Sequence, residues 1–167
     1  MKTRISFYFD QLRSKYWFVP GFMILFAIFL SLVMVEIDTR VGFELIASFG
    51  WLYLGGVEGA RTVLSTIASS TITVAGVVFS IVIVALSNAS TQFGPRLLVN
   101  FMRDRSNQFV LGIFLATFIY CLLILRTIRT GDNGPGPFIP YLSVTLGILL
   151  ALISILSFVF FVHHVSA

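Results

Sequence analysis

Four stretches of this chain, 17–35, 65–87, 108–125 and 139–162, each run for 18 to 24 residues without an Asp, Glu, Lys or Arg. An apolar run of about 18 or more residues, wound as a helix, matches the hydrocarbon core of a bilayer. Backbone polar groups in that core must be bonded within the segment or within a closed barrel. The expected fold is therefore all-α, an integral membrane bundle of four transmembrane helices forming one domain over residues 1–167. Hydrophobic residues make up 57% of the chain and charged residues 11%, which leaves no polar block large enough for a separate soluble domain.

Each run has a stop. Glu36 and Asp38 follow the first, 88–92 the second, and Arg126 and Arg129 the third, while Pro20 and Pro140 sit near span starts, where a missing amide proton costs little. A cleaved leader is the rival reading of the first run. Asp10 upstream and a charged Val-Glu-Ile-Asp downstream, with no small-residue cleavage site, argue for a retained span. The basic residues set the orientation. Lys2, Arg4, Arg13, Lys15, Arg96, Arg103 and Arg105 fall on one side, and Arg40, Arg61, Arg126 and Arg129 on the other. Seven against four predicts that both termini are cytoplasmic. The net charge of +4 comes from these scattered residues, without the basic cluster and exposed aromatics of a nucleic-acid binder.

Three connecting segments carry helical signals of their own. Ile5, Tyr8, Phe9, Leu12 and Tyr16 recur at helical spacing, predicting an amphipathic interfacial helix over 3–16. The stretch 43–54, with Trp51 and Tyr53, is too short to cross and reads as interfacial or re-entrant. The segment 95–104 predicts an elbow helix whose Leu97, Leu98, Phe101 and Met102 dip into lipid. There Arg96, Arg103 and Arg105 would meet anionic headgroups.

The second span is the chemically distinctive one. At about 3.6 residues per turn, Ser69, Thr73, Gly76, Ser80 and Ser87 fall near one face. Such a stripe serves either close packing against a neighbouring helix or the lining of a hydrated path. Gly112 with Ala116, and Gly147 with Ala151 and Ser154, offer partners in the other spans. Some of these hydroxyls are expected to bond the carbonyl one turn back. Glu58 and Arg61, where this span begins, are either a local ion pair or, in a symmetric assembly, charged rings at a pore mouth.

No span carries a charge near its middle, which argues against a proton-coupled transporter or pump contained in this chain. His163 and His164 point about 100° apart on a helix, and no further ligand completes a metal or haem site. They read as interfacial residues at a helix C-terminus. Cys121 reads as a small packing residue inside its span. No phosphate loop, zinc motif or nucleophile with its base is present. The expectation is a protein that is not an enzyme and binds no cofactor.

The strings Ile72-Thr-Val-Ala-Gly-Val-Val-Phe-Ser-Ile, Ser90-Thr-Gln-Phe-Gly-Pro-Arg-Leu-Leu and Asn100-Phe-Met-Arg-Asp resemble the bacterial predicted-membrane-protein family DUF2254. So do Gly56-Val-Glu-Gly-Ala-Arg, Trp17-Phe-Val-Pro and Phe161-Val-His-His-Val. Members of that family continue past the paired histidines into a long polar region, so the resemblance implies that these residues are a membrane half. Taken together, these readings predict a self-associating helical module of the bilayer, with an ion-conducting pore along its second span as the sharper form. The alternative is an accessory or structural subunit packed on a larger membrane complex.

Overall fold

The computed structural model describes residues 18–41, 55–93, 105–131 and 136–166. They form four helices: α1 (Phe18–Arg40), α2 (Val57–Phe93), α3 (Arg105–Thr127) and α4 (Tyr141–Ser166). All four are long and apolar enough to cross a membrane. The expected interfacial helices over 3–16, 43–54 and 95–104 lie outside the described residues. The helices outrun the apolar runs that announce them. Backbone bonding continues through Glu36 and Asp38 in α1, and α2 extends over 37 residues, about 55 Å at 1.5 Å per residue.

α3 is the axis of the bundle and packs on α1, α2 and α4, while α4 also touches α1 and α2. Its buried residues Val110, Phe114, Thr117, Tyr120, Cys121 and Ile124 recur every three or four positions, so one broad face is covered along the whole helix. Two layers of core follow. Leu64, Ala68, Tyr120, Ile124 and Val144 form one, and Ala75, Val78, Val110, Phe114 and Phe161 the other. Phe114 meets Phe158 edge-on at 6.4 Å between ring centroids. Away from α3, the surface is apolar: Phe22, Leu25, Phe29 and Leu32 on α1, and Leu152, Leu156 and Val159 on α4, are exposed. These rings and branched chains are what the acyl tails of a bilayer solvate.

Close approach depends on small residues. A methyl group at Gly112 would lie 2.5 Å from Met23 Sδ and 3.3 Å from Pro20 Cα, so its absence lets α1 lie on α3. At Gly147 a methyl would meet Leu64 Cδ2 at 3.1 Å, so this glycine receives the α2 leucine. Gly112 and Gly147 thus seat α1 and α2 respectively. Thr117 and Ser154 cross-link α3 to α4 through their hydroxyls at 3.0 Å, a bond worth about 0.6 kcal/mol in such settings. Between α3 and α4 the chain reverses through paired backbone bonds of Arg129 and Phe138 at 3.2 and 3.1 Å. Gly131, at φ +88°, makes this turn possible, and a side chain there would also strike Pro137. Replacing Gly112 by Val is expected to lower the stability of the detergent-solubilised protein by about 1–3 kcal/mol. A thermal melt would read this as a clear fall in midpoint.

Candidate functional site

α2 has two opposed faces. Ala60, Leu64, Ala68, Thr71, Ala75 and Val78 are buried against the bundle. Ser69, Thr73, Gly76, Ser80 and Ser87 are all exposed and fall within an arc of about 60° directly opposite, at 100° per residue. The stripe therefore points away from α1, α3 and α4. None of the partners offered by the other spans meets it, and Gly76 has nothing within 4 Å of where a Cβ would stand. Ile72, Phe79 and Ile83 border the stripe on one side and Val77, Ile81 and Val84 on the other.

The hydroxyls satisfy their own protons. Ser69 donates to Ser65 O at 2.8 Å, Thr73 to Ser69 O at 2.7 Å and Ser80 to Gly76 O at 2.9 Å. A donor spent on the preceding turn leaves the hydroxyl oxygen's remaining lone pair facing outward. At Ser69, Thr73 and Ser80 the exposed face thus offers acceptors and carries no unmet proton. It also begins earlier than the apolar run suggests. Thr62, Ser65 and Thr66 are exposed and bond back to Glu58 O, Thr62 O and Thr62 O. They continue the same angular sector. Thr62 lies before the uncharged run that begins at Ser65, while Ser65 and Thr66 lie within it.

At the end of α2 where this face begins, Glu58 and Arg61 part company. Glu58 is exposed close to the stripe, whereas half-buried Arg61 donates to Ile128 O at 3.3 Å, beyond the end of α3. They form no ion pair with each other. Among the described residues the ion pair found is Glu36 with Arg40 at 2.6 Å. Arg105 opens α3, and Arg96 and Arg103 lie outside the described residues.

The same end of the bundle holds a buried polar cluster that sequence reasoning treated only as a stop signal. Asp38, in the last turn of α1, accepts from the amides of Leu142 and Ser143 at 2.9 Å each and from the Ser143 hydroxyl. It is a cap supplied from another helix, satisfying amides that begin α4 where the helix dipole favours negative charge. Tyr120 completes the cluster by donating its hydroxyl to Ser143 O at 3.0 Å. Local sequence around Tyr141 contains no capping signal for this. The acceptor comes from more than 100 residues away, so spacing could not reveal it. Among the described residues no three His, Cys, Asp or Glu side chains converge as a metal site.

The family described as "Predicted membrane protein (DUF2254)" matches residues 13–167. The uncharacterized proteins Mb1321c of Mycobacterium bovis and Rv1290c of Mycobacterium tuberculosis are each 36% identical to the chain over 164 residues, covering 98% of it. The chain spans 31% of the length of these relatives. No solved structure matches it. Asp38→Ala would strand the buried Ser143 amide, the part-buried Leu142 amide and the Ser143 hydroxyl, and is expected to cost about 3 kcal/mol. Asp38→Asn keeps one acceptor, so thermal melts in detergent should rank wild type above Asn and Asn above Ala.

Proposed function

We propose that this chain, which belongs to the DUF2254 family of predicted membrane proteins, is a non-enzymatic module that self-associates through the hydroxyl face of α2, with that face lining an ion-conducting pore. The observation that carries this reading is the outward direction of the stripe. Glu58 to Ser87 spans about 44 Å of helix, enough to cross the bilayer. Lipid tails gain nothing from Ser, Thr and Gly, whereas small residues let two helix backbones approach closely. A pair of such faces makes a dry seam. A ring of several makes a path lined by hydroxyl oxygens.

The chemistry of that path favours cations. Its oxygens present lone pairs and its hydroxyl protons are held by the helix backbone. Glu58 stands at the mouth while Arg61 is drawn towards Ile128. A ring of carboxylates would raise the local cation concentration. The excess of arginine and lysine at the other end of the helices supports cytoplasmic termini in the inner membrane.

Single cysteines at Ser69, Thr73, Ser80 and Ser87, in a Cys121→Ala background, test both parts. Oxidation should cross-link copies through these positions, and membrane-impermeant thiol reagents should modify them. Cysteines at lipid-facing Leu152 and Leu156 should do neither. Absence of cross-links sinks self-association, and cross-links without modification reduce the pore to a dry seam. Cross-links to an unrelated protein would replace self-association with docking on a larger complex. Gly76→Leu should leave the thermal midpoint unchanged, because no described residue lies within 4 Å of where its Cβ would stand, yet shrink the assembly seen by light scattering. In planar bilayers, Glu58→Gln should lower the cation-to-anion permeability ratio several-fold.

A further inference from the structure

At the end of the bundle that carries Asp38, an open cavity of about 800 Å³ lies between α1, α3 and the reversal that leads to α4. Its lining divides by chemistry. Leu32, Val35 and Leu123 are apolar, and Glu36, Arg126 and Arg129 are charged. The Glu36 carboxylate is already engaged, accepting from Arg40 Nε at 2.8 Å and Nη2 at 2.6 Å. Arg126 and Arg129 are exposed and form no ion pair with any described residue. Two arginines against one glutamate leave the lining itself with a net charge of +1.

A guanidinium presents five N–H donors in a plane suited to two oxygens of a phosphate. Two guanidiniums that form no ion pair with a described residue, on the rim of a cavity whose other wall is apolar, call for a molecule with an anionic head and a hydrocarbon tail. The hydroxyls nearby do not compete for it. Ser31, Thr39 and Thr127 donate to Ile28 O, Glu36 O and Ile124 O. Beyond the cavity, exposed Phe29 and Val33 on α1 and Leu122 on α3 continue the apolar surface toward the bilayer interior. Chain and head thus have adjoining places.

We propose that this cavity is a binding site for an anionic membrane phospholipid, with its phosphate on Arg126 and Arg129 and an acyl chain along Leu32, Val35 and Leu123. The site is at the opposite end of α3 from its first residue, Arg105, so it serves the other leaflet. A lipid seated here would bridge α1 to the α3–α4 reversal from outside, on the flank of the cluster that Asp38 organises. A soluble phosphate ion would use the arginines alone and leave the apolar wall uncovered.

The test uses the purified full chain in phosphatidylcholine vesicles doped with phosphatidylglycerol that carries a photoactivatable acyl chain. Irradiation is expected to label peptides containing Leu32, Val35 or Leu123. Arg126→Gln with Arg129→Gln should reduce that labelling about tenfold, the loss expected for charge-assisted contacts. Arg103→Gln with Arg105→Gln removes the same charge at the other end and should leave the labelling unchanged. Leu123→Trp fills the apolar wall with both arginines kept, and should also reduce it. Thermal midpoints close to wild type establish that each variant is folded. Equal labelling by the matching phosphatidylcholine or phosphatidylethanolamine probe would reduce the site to an apolar crevice and overturn the proposal. Competition by inorganic phosphate would assign the arginines to a soluble anion and overturn it likewise. Labelling that survives both the arginine pair and Leu123→Trp would also overturn it.

Discussion

Helices already inside a bilayer gain nothing from burying apolar surface against one another, because lipid tails are as apolar as leucine. What holds this bundle together must therefore be close contact and a few buried polar bonds, and both converge on α3. Gly112 admits α1 to its surface, while Gly147 of α4 admits the α2 leucine beside Tyr120 and Cys121. Thr117 and Tyr120 supply polar links to α4. Removing space at these positions changes the distance between backbones, which no rotamer change elsewhere restores.

The Asp38 cluster solves a different problem. α4 begins at Tyr141, directly after Pro140, where the first amides of a helix have no partner within it. In water, solvent would satisfy them, and at a surface a serine or aspartate just upstream would serve. Here the carboxylate at the end of α1 reaches two of these amides, and the Ser143 hydroxyl turns to the same acceptor. The bond therefore ties the end of the first span to the start of the last. Arg61 works in the same direction, since its donation to Ile128 O fastens the start of α2 to the end of α3. One end of the bundle is closed by side chains reaching between helices rather than by local caps.

How much of this the sequence disclosed follows from the range of each interaction. The spans were readable because hydrophobic length is a property of contiguous residues. Helix ends were less so: Glu36 and Asp38 look like stops in a linear reading, yet the helix passes through both because Arg40 pairs with one and α4 engages the other. Periodicity grouped Ser69, Thr73, Gly76, Ser80 and Ser87 on a common face but could not say where that face points. Direction depends on which side Leu64 and Val78 occupy in the core. The Glu58 and Arg61 spacing admitted a local pair. A carbonyl 67 positions away took the arginine instead, and no local rule contains that competitor.

The two faces of α2 show why the exposed one carries more information than the buried one. Alanines on the packed side are explained by the approach of α3 and α4, so their selection is complete within this chain. Opposite them, the hydroxyls of Ser69, Thr73 and Ser80 are satisfied by their own helix, so packing among the described residues does not account for their repetition. Apolar residues stand at the same depth on both flanks of the stripe, where lipid contact alone decides their chemistry. The proposed self-association would account for that change of composition, at constant depth, by a change of neighbour across a narrow arc. On that proposal the neighbour meets α2 along its whole length and tolerates or exploits outward oxygen. A second α2 of the same chain meets both conditions, since each copy brings the same small, acceptor-rich surface and the two match in length by construction.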